Sequence, residues 1–219
     1  IEMFVGVLSQ LAEGFLLTLE LFALTLVLAV PLGLIFSFGL MSRFKPLRYV
    51  VNVFVWVIRG TPLMLQLFIV CYGPALFGLS AMKNSFLAAV VAFVINYACY
   101  FAVIYRGGIV SISKGQYEAG QVLGMTRLQI FSHVVLLQVF KRILAPMSNE
   151  VITLVKDTSL ANTLGGIVEI IAAAKAVTGT YALPLIYPLL GAGVFFLVFI
   201  GVLTLLFSFI EKKLNYFRV

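Results

Sequence analysis

Eight polar or charged residues crowd fourteen positions of an otherwise apolar stretch: Asn149, Glu150, Thr153, Lys156, Asp157, Thr158, Ser159 and Asn162. On insertion scales, an Asp or Lys at the middle of a lipid-facing helix costs about 2.5–3.5 kcal/mol. Several in one segment therefore imply a face turned to protein or water. At 100° per residue, Asn149, Glu150, Thr153, Lys156 and Asp157 share an arc of roughly 120°. Two kinds of chemistry fit that face. It can line a path for a zwitterionic solute, with acid, base and hydroxyl groups replacing hydration. Alternatively, Glu150 or Asp157 can pair with Lys156 and lock helices together. Lys156 and Asp157 are adjacent, so their side chains diverge, and each is expected to find a partner on another helix or subunit. Arg59 is a candidate. Thr158, Ser159 and Asn162 point elsewhere, toward interhelical hydrogen bonds or a loosened helix near Gly165-Gly166.

The elements that must position these groups are membrane spans. The chain has 219 residues, is 63% hydrophobic and 11% charged, and has a mean hydropathy of +1.14. Soluble domains carry roughly 25% charged residues, so a soluble globule is excluded. Crossing a hydrocarbon core takes roughly 20 helical residues. Apolar segments of that length are expected at about 15–40, 50–74, 86–105, 146–171 and 184–210. The fold class is therefore all-α integral membrane, one domain of five transmembrane helices. Arg59-Gly60-Thr61-Pro62 interrupts the second span, so residues before Gly60 are expected to lie partly along the interface. No basic segment precedes the first span, so a cleaved signal peptide is not expected.

Charge sets orientation. Arg43, Lys45 and Arg48 follow span one; Arg106, Lys114, Arg127, Lys141 and Arg142 follow span three; Lys212, Lys213 and Arg218 close the chain. Those are eleven of the fifteen basic residues, and the positive-inside rule puts their side in the cytoplasm, with the amino terminus outside. The segment at about 106–145 reads as two helices. Ser113 with Gln116 fits a capping box, Gly124 suits the left-handed residue that ends the first helix, and Thr126 with Gln129 repeats the box. A helix bearing Tyr117, Glu118 and Gln121 cannot bury itself alone and needs a partner surface. The rival is an interfacial helix lying on headgroups.

The runs Arg106-Gly107-Gly108-Ile109, Ser113-Lys114-Gly115-Gln116-Tyr117-Glu118-Ala119 and Leu123-Gly124-Met125 occur in that order. So do Arg59-Gly60-Thr61-Pro62-Leu63, Asn96-Tyr97 and Lys156-Asp157-Thr158-Ser159-Leu160. Together they resemble the permeases of polar amino acid ABC importers, the histidine/glutamine/arginine/cystine group, over residues 10–215. Departures are Gly120 for a second Ala, Val103 for Glu, and Leu137 for Pro. Val103 removes an acid from span three, so a cation-binding role is not carried over to it. The resemblance implies the type I importer permease fold, with a cytoplasmic coupling helix between spans three and four. Gln116, Tyr117, Glu118, Ala119, Gly120, Leu123, Gly124 and Met125 would grip an ATPase subunit. Asn149, Glu150, Thr153, Lys156, Asp157, Thr158 and Ser159 would line the substrate pathway, with Arg59, Thr61, Gln66 and Asn96 as pathway or gate residues. Implied partners are a second permease subunit, identical or homologous, two ATPase subunits, an extracytoplasmic solute-binding protein, membrane lipid and a polar amino acid. Glu169 and Lys175 would contact that binding protein or be ordinary interface charges. The location implied is the bacterial cytoplasmic (inner) membrane.

Other classes fare worse. No Gly-rich phosphate loop of the GxxxxGK[ST] type is present; ATP and Mg2+ are expected in the partner ATPase, and no cofactor on this chain. One His133 builds neither a triad nor a metal cluster, and Cys71 and Cys99 lack metal spacing, so an enzyme is not expected. Nucleic acid is not expected as a partner. A secondary transporter or channel subunit driven by an ion gradient would show paired acids or inverted repeats. A passive scaffold leaves the polar face unexplained.

Overall fold

The computed structural model describes residues 2–214. Ile1 and residues 215–219, including Arg218 of the basic tail, lie outside the described residues. Every regular element among the described residues is helical. Helix α1 runs Glu2–Leu40, well ahead of the expected start near 15, because Met3 to Leu8 continue its apolar character. Pro31 lies inside it without ending it. Helix α4, Ser85–Val110, is the central post, capped by the Asn84 side chain, which accepts from the Leu87 N–H at 3.0 Å. Its buried Ala88, Ala89, Ala92, Ala98 and Ala102 let neighbours approach closely. Gly33 of α1 does the same: a Cβ there would stand 2.8 Å from the Phe101 Cβ and 3.0 Å from the Ala98 carbonyl.

The expected second span is two helices, α2 (Lys45–Gly60) and α3 (Leu63–Leu76), bent by 109°. Thr61 is extended at φ −115°, ψ 147°, the conformation imposed on a residue before proline, and Pro62 has no N–H to continue a helix. Four helices are long and apolar enough to cross a membrane, and five spans result when this bent pair is taken as one. Along α2, Val51, Val55 and Ile58 join Phe36 and Leu40 of α1 and Cys99, Ala102 and Val103 of α4 in one apolar cluster.

After α4 comes the short helix α5, Lys114–Val122. A turn of α6 (Arg127–Gln129) then leads through a π-helical stretch, Ile130–Val135, into α7, Leu136–Asp157. Pro146 lies within α7, so no boundary separates the second loop helix from the polar span. A 3-10 stretch continues the helix over Thr158–Leu164. Gly165 and Gly166, at φ +74° and +72°, then turn the chain in a conformation that side chains resist. Helix α8, Ile170–Tyr181, and helix α9, Ile186–Leu214, follow. The fourth span therefore ends at Leu164, short of the expected 171: residues 165–169 are a non-helical turn and residues 170–171 begin α8. The most apolar window of α9 has no fully buried residue: Phe196, Phe199, Ile200, Leu203 and Phe207 pack on the core, leaving its outer face to lipid or a second subunit.

Candidate functional site

The polar face of α7 converges with α4 and the end of α2. The Tyr97 hydroxyl donates to Asp157 Oδ2 at 2.7 Å, so Asp157 does find its partner on another helix, one that periodicity along α7 cannot reveal. The Arg59 guanidinium lies over the Tyr100 ring, 4.9 Å from its centroid, within cation–π range. Glu150 is half-buried, within electrostatic range of both Arg59 and Asp157. Arg59, Tyr97, Tyr100, Glu150 and Asp157 therefore form one cluster, carried by three helices. Asn149 and Lys156 are exposed and Thr153 is half-buried beside them. Tyr97 and Tyr100 are the members that the polar pattern of α7 did not disclose. Their spacing of three, in register with Asn96-Tyr97, was the available signal.

Other expected pathway residues sit elsewhere. Thr158 is fully buried and donates to the Val155 carbonyl at 2.6 Å, so it stands in the core rather than on the polar face. The Ser159 hydroxyl bonds to the Lys156 carbonyl at 2.8 Å. Both bonds are local, because a helix tightening into 3-10 geometry brings hydroxyls onto the carbonyl three residues back. Thr61, Gln66 and Asn96 are brought together, though not on an open face. Gln66 Nε2 donates to the Ile58 carbonyl at 2.7 Å and to Thr61 Oγ1 at 2.9 Å, and Asn96 Nδ2 donates to Gln66 Oε1 at 3.0 Å. Gln66 and Asn96 are both buried. This network spans the α2–α3 break and ties it to α4, thereby holding Arg59 over Tyr100. Gln66→Leu leaves the buried Asn96 amide without its acceptor, and the Ile58 carbonyl keeps only the Thr61 hydroxyl at 3.3 Å, at roughly 2 kcal/mol. A lowered thermal midpoint in detergent checks it.

Glu169 is likewise not a surface charge. It is fully buried and caps α8, accepting from the Ile171 and Ala172 N–H groups at 2.9 Å each and from Asn162 Nδ2 at 3.0 Å. Any contact with an external protein is closed to it.

The second candidate surface is α5. Glu118 and Ala119 are exposed, as is Tyr117, while Gln116 is half-buried. Ser113 caps the helix only by position: its side chain makes no cap bond. Gln116 Oε1 is taken instead by Gln138 Nε2 at 3.0 Å, so the expected first capping box does not form. The second one does, with Thr126 and Gln129 bonded reciprocally. Gly124 has φ +73°. Met125 N–H reaches the Gly120 carbonyl and Gly124 N–H the Gln121 carbonyl, the paired bonds of a Schellman ending. Gly120 is buried against the π-helical stretch, where a Cβ would stand 2.6 Å from Ile130 Cγ1. The departure from alanine thus lets α5 seat closely. Val122, Leu123 and Leu128 are 87%, 78% and 75% exposed, an apolar patch on a basic loop. Val122 and Leu128 were not among the expected contacts, although exposed aliphatics beside a helix end mark docking surfaces.

Residues 29–216 match the family described as "Binding-protein-dependent transport system inner membrane component". The chain is 41% identical over 152 residues to the L-cystine transport system permease protein TcyB of Bacillus subtilis, covering 69% of this chain and 64% of that protein. It is 36% identical to the arginine transport system permease protein ArtQ of the same organism, over 93% and 91% of the two chains. A solved structure described as an amino acid ABC transporter with histidines superposes with TM-score 0.86 at 30% identity, covering 96% of both chains. The inward-facing MetNI methionine ABC transporter shares the fold, with TM-score 0.64 at 18% identity.

Proposed function

The chain belongs to the binding-protein-dependent transport system inner membrane component family, and from that premise we propose that it is the permease subunit of an ATP-driven importer of polar amino acids. The observation that carries this reading is α5. A solvent-facing helix with exposed Tyr117, Glu118, Val122 and Leu123 is held by Gly120 on Ile130, and that face has no partner among the described residues. An ATPase subunit on the cytoplasmic side is the occupant. The positive-inside rule supports an orientation with α5, the α1–α2 elbow and the carboxyl end of α9 in the cytoplasm and the amino terminus outside.

Two permease subunits pair with two ATPase subunits and receive substrate from an extracytoplasmic binding protein. ATP and Mg2+ are bound by the ATPases; no catalytic step belongs to this chain. ATP binding draws the ATPases together, α5 follows, and the two permeases rock between inward and outward openings. The cluster of Arg59, Tyr97, Tyr100, Glu150 and Asp157 offers both charges to a zwitterion, one through the guanidinium and one through the carboxylates. Asp157→Asn keeps an acceptor for the Tyr97 hydroxyl and removes the charge. Uptake is expected to fall roughly tenfold, the loss of about 1.4 kcal/mol of charge-assisted binding, with the thermal midpoint unchanged. Equal loss of both makes Asp157 a structural anchor.

Co-expression with an ABC ATPase subunit tests the whole. The expected result is a co-purified complex whose uptake into vesicles stops with vanadate. Uptake that ignores vanadate and collapses with an uncoupler belongs to a gradient-driven transporter and sinks the reading.

A further inference from the structure

Between Glu20 and Glu118 the sequence has no acidic residue. Within that stretch Arg43, Lys45 and Arg48 stand on the elbow joining α1 to α2, all exposed, and no carboxylate among the described residues pairs with them. The elbow is a fixed structure: the Ser42 hydroxyl accepts from the Phe44 N–H at 3.2 Å, and Pro46 lies in the first turn of α2. Helix α2 itself is two-faced. Lys45, Arg48 and Asn52 fall within an arc of roughly 60°, while Val51, Val55 and Ile58 face α1 and α4. Phe44, Tyr49 and Trp56 project from it at 65%, 72% and 75% exposure. A strongly amphipathic helix with basic residues on one face and large aromatics beside them suits the boundary between headgroups and acyl chains.

We propose that the α1–α2 elbow is a binding surface for anionic phospholipid of the cytoplasmic leaflet, with Arg43, Lys45 and Arg48 on the phosphate and Phe44 and Tyr49 seated among the acyl chains. The side of the membrane rests on the orientation given above; the lipid chemistry does not. Two features select lipid over protein. A second copy meeting it elbow to elbow would bring the same three cations and no acid, so like charges would face each other. The aromatics alongside the cations are apolar to an extent that a purely electrostatic protein contact does not need, whereas the interface accommodates both.

The experiment uses the purified full-length permease in a neutral detergent, with lipid retention read by native mass spectrometry. Dioleoyl phosphatidylglycerol and dioleoyl phosphatidylcholine are offered in equal amounts. The expected result is a preference of roughly tenfold for phosphatidylglycerol, lost in 0.5 M salt and lost in the triple variant Arg43→Gln, Lys45→Gln, Arg48→Gln. The variant Lys212→Gln, Lys213→Gln, at the end of α9, retains the preference. Equal retention of the two lipids, or a preference that survives the triple substitution, overturns the proposal. Displacement of phosphatidylglycerol by 10 mM inorganic phosphate also overturns it, in favour of a free-phosphate site. So does a triple variant that keeps its lipid and no longer co-purifies with the ATPase, which makes the elbow a protein contact. Lipid retention is measured on the permease alone, so failure of ATPase docking leaves its outcome readable. Labelling of Ser42→Cys by an impermeant thiol reagent separately tests the side; Cys71 and Cys99 are buried and stay silent.

Discussion

Glu118→Lys abolishes ATP-coupled uptake while leaving the permease folded and inserted. Glu118 is exposed and makes no side-chain hydrogen bond to another described residue that α5 depends on, so the substitution costs the isolated subunit no more than about 0.5 kcal/mol. At a docked interface the same change converts an attractive or neutral contact into a buried unpaired cation. Truncating one member of a buried charged pair costs about 2–5 kcal/mol, and reversal costs at least that much. The complex should weaken by a factor on the order of 30 to 4000. The measurements are detergent chromatography for folding, ATPase co-purification for docking and vesicle uptake for function. Normal coupled uptake by this variant would refute the docking assignment.

Glu169→Leu has a different target, the fold itself. Three donors converge on this carboxylate: the backbone N–H groups of Ile171 and Ala172 and the side-chain amide of Asn162. No solvent reaches the position, so water cannot replace the lost acceptor. Each orphaned buried backbone donor costs about 1–3 kcal/mol, and these two bonds are the cap of the helix. A total of roughly 4 kcal/mol is a large share of the 5–15 kcal/mol that holds a typical protein together. The variant should leave the monodisperse peak in detergent, with Glu169→Gln intermediate because its amide accepts through one oxygen only. A Glu169→Leu protein melting with the wild type would show that α8 does not depend on this cap.

Local chemistry was legible in the sequence where it is settled by neighbours in the chain. The Thr126–Gln129 box forms because nothing competes for either side chain, and Gly124 turns left-handed because the helix ends there. Ser113–Gln116 has the same spacing and forms no box. Gln138, twenty-two residues away, holds the Gln116 amide, and spacing carries no trace of that rival. The α2–α3 break follows from Pro62 and its effect on Thr61, yet the angle depends on Gln66 and Asn96, which only the tertiary structure brings together. Glu169 looked like a surface charge because acids are rarely buried whole. The exception needed two N–H groups at a helix start and an amide from the preceding 3-10 stretch. The polar arc on α7 was visible as periodicity, whereas Tyr97, sixty residues from Asp157, belonged to a different helix and to no shared pattern.

The helical backbone runs from Arg127 to Leu164 without a gap, so the turn beside α5 and the Asp157 carboxylate ride on one lever. Thirty residues separate Arg127 from Asp157, about 45 Å at 1.5 Å per residue. Tilting such an arm by only about 5° carries its far end about 4 Å, more than the whole length of the bond between Tyr97 and Asp157. A nudge too small to unseat α5 from Ile130 is therefore large enough to make or break the innermost contact of the polar cluster.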